Sequence, residues 1–504
     1  MVRFVGKDKK MKNGWKTIVH THRSACYAMA LLLLLTGKNA VAQDLPQDAS
    51  SLSRSIQHTE QVETLQSRIA QLTSDHGPYD ERLLSPLANL ARVYQEAGNS
   101  AEAAILLEQQ LQIHRVNLGL YSAEQIPVVE SLLQIHGETG DWGKLNDSLA
   151  YLSWLYQRNT SLEMEARLQG LHKLGTWHLR SLGSDIRERQ AHHLVELARL
   201  DRLTAELAEA HLGENNPQLT PYLYDQALSD LYIALAIMLT SETAQDLMLL
   251  TEGIRERPVT GSLLSNLPLT SAADIEAVYG SRASTVIERS FKNNMDDNIS
   301  KLKRIEELYT EAGDTEAEAM ALMYRADSVL MRQQFEKREG NFAGVRRGIS
   351  SIGAAMTYYR EALEKFAQAD IPAAELAAFT QCPVLLPLQQ FHSRVQDAHI
   401  PCVRDTTSGV VDLGEHSLVS TFIPGLEGEV VDDENTIVAT VRFTVRSNGQ
   451  VSHHEIVSIE PDDTPNRVKV RKLLEILQFR PALIDGNAHR TENAQLLVRI
   501  PDYN

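Results

Sequence analysis

Few residue groups in this chain have both the types and the spacing for chemistry. His193 and Glu196 stand three apart beside His192, on one side of a predicted helix, where two metal ligands could sit. No third ligand is close in sequence, and zinc sites need three or four. His453-His454 lies in a predicted strand with Glu455 as the immediate neighbour of His454. Successive strand residues point to opposite faces, so each ring is expected on its own side, without an acid–base partner in reach. No H-E-x-x-H, no G-x-S-x-G and no glycine-rich phosphate loop occurs. The chain therefore reads as a non-enzyme, with no cofactor and no metal site.

What is left is charge, thiols and surface. Formal net charge is −17, which argues against nucleic acid, since a basic face is required there. From Val438 onward nine Lys/Arg meet eight Asp/Glu, so the excess acid sits in the preceding part. Arg467, Lys469, Arg471 and Lys472 form a basic cluster, either solvated or a docking face for an acidic partner.

The N-terminus sets the compartment. A basic stretch (Arg3, Lys7, Lys9, Lys10, Lys12, Lys16, Arg23) precedes an apolar run from Ala25 to Thr36, and Ala40-Val41-Ala42 offers a small-residue cleavage site before Gln43. Those are the three parts of a secretory signal over residues 1–42. The apolar run is twelve residues long, against roughly twenty needed to span a bilayer. A periplasmic mature chain is expected, with an inner-membrane anchor facing the periplasm as the alternative. Cys26 leaves with the signal, so Cys382 and Cys402 stay as a pair in an oxidising compartment, where a disulfide is expected and two buried thiols are the alternative.

The middle repeats with a period of 42. Gly77-Pro78-Tyr79 recurs as Gly119-Leu120-Tyr121, Leu90-Ala91 with Tyr94 as Leu132-Leu133 with His136, and Gly98-Asn99 as Gly140-Asp141; Leu174-Gly175 and His178 open a third copy. Leu87, Leu90, Ala91 and Tyr94 share one helix face, as do Ala103, Leu107 and Leu111 on the next. Fixed-period self-similarity marks stacked helix pairs. The pattern resembles tetratricopeptide repeats in a long form, over residues 44–380. Later units are expected at Leu228 to Tyr232, at Ile305 to Asp314 with Thr315 and Glu318 as a capping box, and at Ala355 to Leu363. Arg255 to Ala273 reads as an insertion. The resemblance implies an extended surface that holds another protein. An irregular connector follows over 381–434, in which Leu385 to Val395 could form one short helix.

The end of the chain changes period. Val438 to Val445 alternates, Ser447-Asn448-Gly449 makes a turn, and Gln450 to Ile459 alternates again. A helix is predicted from Pro465 to Leu477, then Phe479-Arg480-Pro481-Ala482, Asp485-Gly486 and a last strand near Gln495 to Ile500. This β-β-α-β order over 435–504 resembles the C-terminal domain of the TonB family. The resemblance implies recognition of an envelope partner, with a TonB-dependent outer-membrane receptor as candidate, by pairing of an extended segment with the final strand. The expected contact residues are Gln495, Leu496, Leu497, Val498, Arg499 and Ile500, unless Val411 to Ile423 covers that edge. The fold class expected is mainly α: a tetratricopeptide-like solenoid followed by a small α+β domain. The expected function is a periplasmic, non-enzymatic protein-binding scaffold, with no small-molecule substrate. The alternative is a membrane-anchored TonB-type energy transducer for outer-membrane transport; no proline-rich spacer follows the N-terminus to support it.

Overall fold

The structure, a computed structural model, describes residues 47–182, 190–239, 283–338, 352–398, 411–412 and 436–501. The expected signal over 1–42, the expected insertion at Arg255 to Ala273, Cys402 and most of the connector lie outside them. The chain falls into two units, Met1–Ser67 and Arg68–Asn504. Helix α1 (Gln47–His76) begins in the first and ends in the second.

In the second unit the helical array runs α2 (Leu84–Glu96), α3 (Ser100–Leu118), α4 (Ile126–Glu138), α5 (Trp142–Arg158), α6 (Met164–Ser181), α7 (Gln190–Leu212), α8 (Thr220–Leu239), α9 (Ala283–Ala312), α10 (Thr315–Arg338), α11 (Gly353–Gln368) and the short α12 (Ala373–Thr380). From α2 to α11 each packs against the next. The predicted stripes are the buried ones: Leu87, Leu90 and Ala91 on α2, Ala103, Leu107 and Leu111 on α3. The small residues let the helices approach. Gly98 ends α2 with φ +76° and Gly140 repeats this 42 residues later at +66°, a left-handed conformation only glycine adopts without strain. A side-chain tie keeps the same period. Asn117 Nδ2 donates to Tyr79 O at 2.8 Å, and Asn159 Nδ2 to Tyr121 O at 3.1 Å.

The cap of α10 differs from expectation. Asp314 Oδ1 accepts from Ala317 N at 3.2 Å, so Asp314, not Thr315, is the N-cap. Glu318 instead pairs with Lys365 of α11 at 2.7 Å. A carboxylate one residue earlier reaches the same orphan amides, and the tertiary ion pair draws Glu318 away.

The connector is described in part. Residues 384–386 form strand β1 (Val384–Leu386), and Val395 is buried with the array core. The short helix expected over Leu385 to Val395 is absent, because Leu385 pairs with Phe479 in β5 (Gln478–Arg480) instead. Three residues of non-local ladder outweigh weak helical propensity between Pro383 and Pro387.

The terminal β-domain has strands β3 (Thr436–Val445), β4 (Val451–Glu460) and β8 (Thr491–Pro501), helix α13 (Thr464–Ile476), and a small hairpin of β6 (Ala482–Ile484) and β7 (Asn487–His489). With β2 (Val411–Asp412) the main sheet has the order β2-β8-β3-β4. Helix α13 covers one face, where Ile437, Ala439, Val441, Phe443, Leu496 and Val498 bury with Val470, Leu473 and Leu474. The β3–β4 turn is pinned to β5: Phe479 N donates to Gly449 O at 2.9 Å. A Cβ on Gly449 would lie 1.9 Å from Phe479 O, with φ already +79°. That close approach is the reason for glycine there.

Candidate functional site

The final strand was the sequence's candidate for partner binding. Side chains alternate as expected: Leu496 and Val498 are buried, while Gln495, Leu497 and Arg499 are half-buried on the opposite face. Ile500 continues the strand, paired with Ile437. The open edge expected of it is not fully open. Val411 and Asp412 of β2 run parallel to β8, opposite Leu496 and Leu497. Unpaired strand N–H and C=O groups seek a partner, and the chain supplies one from its own connector. The other rim of the sheet is β4, whose ladder to β3 is interrupted at Thr440/Val441 and again between Arg442 and Thr444. His453 sits in the second bulge with φ +49°. The bulge breaks strict alternation there, and His453 and His454 are both exposed. Glu455 pairs with Arg442 at 3.2 Å.

The residue that sequence reasoning left as part of a motif has a larger role. Arg480 is fully buried and forks onto Asp327 of α10, Nε to Oδ1 at 2.9 Å and Nη2 to Oδ2 at 2.5 Å. Tyr359 of α11 donates its hydroxyl to the same Asp327 Oδ1 at 2.7 Å. The guanidinium also lies 5.1 Å from the ring centre of Phe379 in α12. Arg360 Nε adds a bond to Gly486 O at 3.1 Å. The β-domain is thereby locked to the end of the array by groups 153 residues apart in sequence. No local pattern announces such a pair.

The other candidates resolve into structure. His193 is fully buried, and its Nδ1 lies 3.0 Å from Nδ1 of His178 across α6 and α7. Burial, then the neighbouring His193, pushes His178 well below its ordinary value, so the neutral form of His178 is favoured at that contact. Glu196 turns away to Arg199, 2.7 Å distant. Among the described residues no group of three metal-ligating side chains could hold an ion. Cys382 is disulfide-bonded, while Cys402 lies outside the described residues. In the basic cluster, Arg467 forks onto Asp462 at 2.7 and 2.8 Å and holds that carboxyl below its usual range. Arg471 and Lys472 are exposed.

A further surface was missed in the sequence. Of the large apolar residues that the described chain exposes, Tyr79, Ile105, Val116, Leu118, Leu120 and Tyr121 all belong to the first two repeats. Five gather around the C-terminal end of α3, where Asn117 ties the Tyr79 loop in place. Tyr121, 62% exposed, stacks on Trp154 at 4.7 Å, Trp154 on Tyr151 at 5.8 Å, and Arg115 covers Tyr151 at 4.6 Å. The signal was present as Leu-Gly-Leu-Tyr, apolar residues in a turn that no helix face can bury.

No protein-family model and no curated protein matches the chain. Among solved structures it is similar to the nearly identical TPR-like repeats of a kinesin light chain from Podosopora anserina. One such structure matches with TM-score 0.28 and 19% identity, covering 42% of this chain and 93% of the other. A variant of those repeats matches with TM-score 0.27 and 19% identity, over 36% of this chain and 81% of the other. Among the described residues no helix is long and apolar enough to cross a membrane.

Proposed function

We propose that this chain is a non-enzymatic protein-binding scaffold of the cell envelope, in which a tetratricopeptide-like array carries a TonB-like terminal domain. The observation that carries protein binding is the apolar, aromatic patch at the end of α3, with Leu118, Leu120 and Tyr121 exposed together. Exposed large apolar residues grouped in one short stretch support an interaction site there. The candidate partner of the terminal domain is an envelope protein such as a TonB-dependent receptor. The half-buried outer face of β8, with Gln495, Leu497 and Arg499, supports that reading, and the basic stretch, short apolar run and Ala40-Val41-Ala42 support a mature chain in the periplasm.

The test is crosslinking capture from envelope extracts with three full-length chains: wild type, Leu118→Ser/Leu120→Ser, and Leu497→Glu. Loss of one crosslinked species in the first variant assigns it to the array, and in the second to the terminal domain. If both variants capture the same species as wild type in equal yield, the scaffold reading fails. Mass analysis of the mature N-terminus separates the alternatives: Gln43 supports a periplasmic scaffold, and a retained Met1 or Val2 supports the anchored transducer.

A further inference from the structure

Between β1 and Ala398 the connector does something the repeat pattern does not require. Leu388 to Val395 (Leu-Gln-Gln-Phe-His-Ser-Arg-Val) is neither helix nor strand, yet α8, α9 and α10 grip it along its length. Tyr224 of α8 donates its hydroxyl to Leu388 O at 2.7 Å. Tyr324 of α10 donates to Gln390 O at 2.8 Å and accepts from His392 N at 3.2 Å. The ring of Phe391 lies between Tyr324, Tyr224 and Tyr309, with centroids at 4.9, 5.7 and 6.1 Å. Arg394 forks onto Asp314 with two bonds of 2.7 Å, and Glu316 Oε1 accepts from Val395 N at 2.9 Å.

These are the contacts of a bound peptide. Side-chain hydroxyls and a carboxylate read the main chain, an aromatic cradle reads one side chain, and an acid reads another three positions on. Asp314 is fixed before any ligand arrives, because it caps α10 through Ala317 N. Such pre-set groups lose little freedom on binding. Gln389 and Gln390, just before the Phe391 anchor, are exposed. The recognised features are thus an aromatic residue, an arginine three residues later and the backbone around them.

We propose that the cradle of Tyr224, Tyr309, Tyr324, Asp314 and Glu316 is a peptide-binding site, filled in cis by Leu388–Val395. In trans it takes an extended segment of a partner protein bearing an aromatic residue followed three positions on by arginine. The inference rests on the protein-binding reading above and names the partner's segment. The acidic pair fits an arginine by charge, and a bidentate fork is specific to arginine over lysine. A tethered segment competes at an effective concentration that reaches about the millimolar range, so the resting chain is closed to weak ligands. The same segment continues from β1, which pairs with β5. A partner that displaces it therefore pulls on the strand beside Arg480.

The experiment uses the full chain and a fluorescein-labelled peptide of sequence Leu-Gln-Gln-Phe-His-Ser-Arg-Val. Phe391→Ala/Arg394→Ala leaves the cradle intact and removes both anchors of the cis segment. Anisotropy should show the peptide binding this variant at least about tenfold more tightly than wild type. A peptide with Ala for Phe and Arg should not bind, and adding Asp314→Asn should weaken binding of the parent peptide. Circular dichroism checks the fold; if the double variant does not fold, Arg394→Ala alone carries the same comparison. Equal binding to wild type and variant, or none to the variant at about 1 mM peptide, overturns the proposal. So does a concentration-dependent dimer of the wild-type chain that the peptide dissolves, which would give the cradle to a second copy. Capture through Leu118 and Leu120 is read separately, so loss of the peptide result leaves the scaffold reading standing.

Discussion

Replacing Asp327 by alanine should undock the terminal domain. Arg480 has no exposed surface, and Asp327 keeps 7% of its side chain exposed, so water cannot replace the lost carboxylate. Nη1 of Arg480 already has no hydrogen-bond partner among the described atoms. Asp327→Ala would strand the remaining guanidinium nitrogens and the Tyr359 hydroxyl as well. Breaking one side of such a buried pair costs about 3–5 kcal/mol. At about 1.4 kcal/mol per decade, the open population rises by roughly two to three and a half decades. Because the pair joins α10 to β5, the loss should appear as local opening, not as unfolding of α2 to α7. Native-state hydrogen exchange reads this directly: amides of Val384–Leu386 and Gln478–Arg480 should lose protection while those of α3 and α5 keep theirs. The double change Asp327→Leu/Arg480→Met should recover much of the protection, since an apolar pair leaves no charge unpaired. Unchanged exchange at β1 and β5 in Asp327→Ala, or a double variant as open as the single, would refute the reasoning.

Four further outcomes are expected. Burial, then the Asp225 charge, raises the Asp201 carboxyl well above its ordinary 3.8, so the folded chain holds a proton that the unfolded chain releases, and stability falls as pH rises above that value; Asp201→Asn should therefore stabilise at pH 7 in urea denaturation, and a destabilised variant would contradict this. His178 runs the opposite way: its value is depressed by burial and by His193, so the unfolded chain takes up a proton first and stability drops as pH falls below 6.5; His178→Gln should flatten that acid slope, and an unchanged slope would count against a neutral, buried His178. Gly170→Ala places a Cβ 2.2 Å from the Tyr156 ring where α6 meets α5, and should lower stability by about 1–3 kcal/mol; a neutral result in thermal melts would mean that the ring moves freely. Non-reducing peptide mapping should join the Cys382 and Cys402 peptides, and ready alkylation of both thiols in the unreduced chain would sink that pairing.

How far the sequence could be read depended on the distance between interacting residues. The 42-residue period located α2 to α5 because a helix pair is a local object: Ala91 and Ala103 declare themselves within one unit, and Gly98 recurs as Gly140 in the next. The β3–β4 hairpin and α13 were legible for the same reason. What escaped notice is non-local or very short. Strand β1 owes its existence to β5, nearly a hundred residues on, and three residues carry no periodicity. His178 and His193 pair across two helices, and Arg480 meets Asp327 across the whole connector. The cradle around Phe391 was invisible because its tyrosines read singly as core residues of separate helices. The bulge at His453 was missed because alternation assumes an uninterrupted ladder.

The asparagine ties of the first repeats act as a ruler. Each spans 38 residues, from Asn117 back to Tyr79 and from Asn159 back to Tyr121. A single residue inserted into α3 or α5 would swing the asparagine by about 100° around its helix and out of reach of the carbonyl. Small length changes within a unit are thereby penalised at once. Gain or loss of a whole unit leaves every tie intact. Such an array can be lengthened or shortened only in full repeats, so its reach is quantised while the surface on each unit stays free to vary.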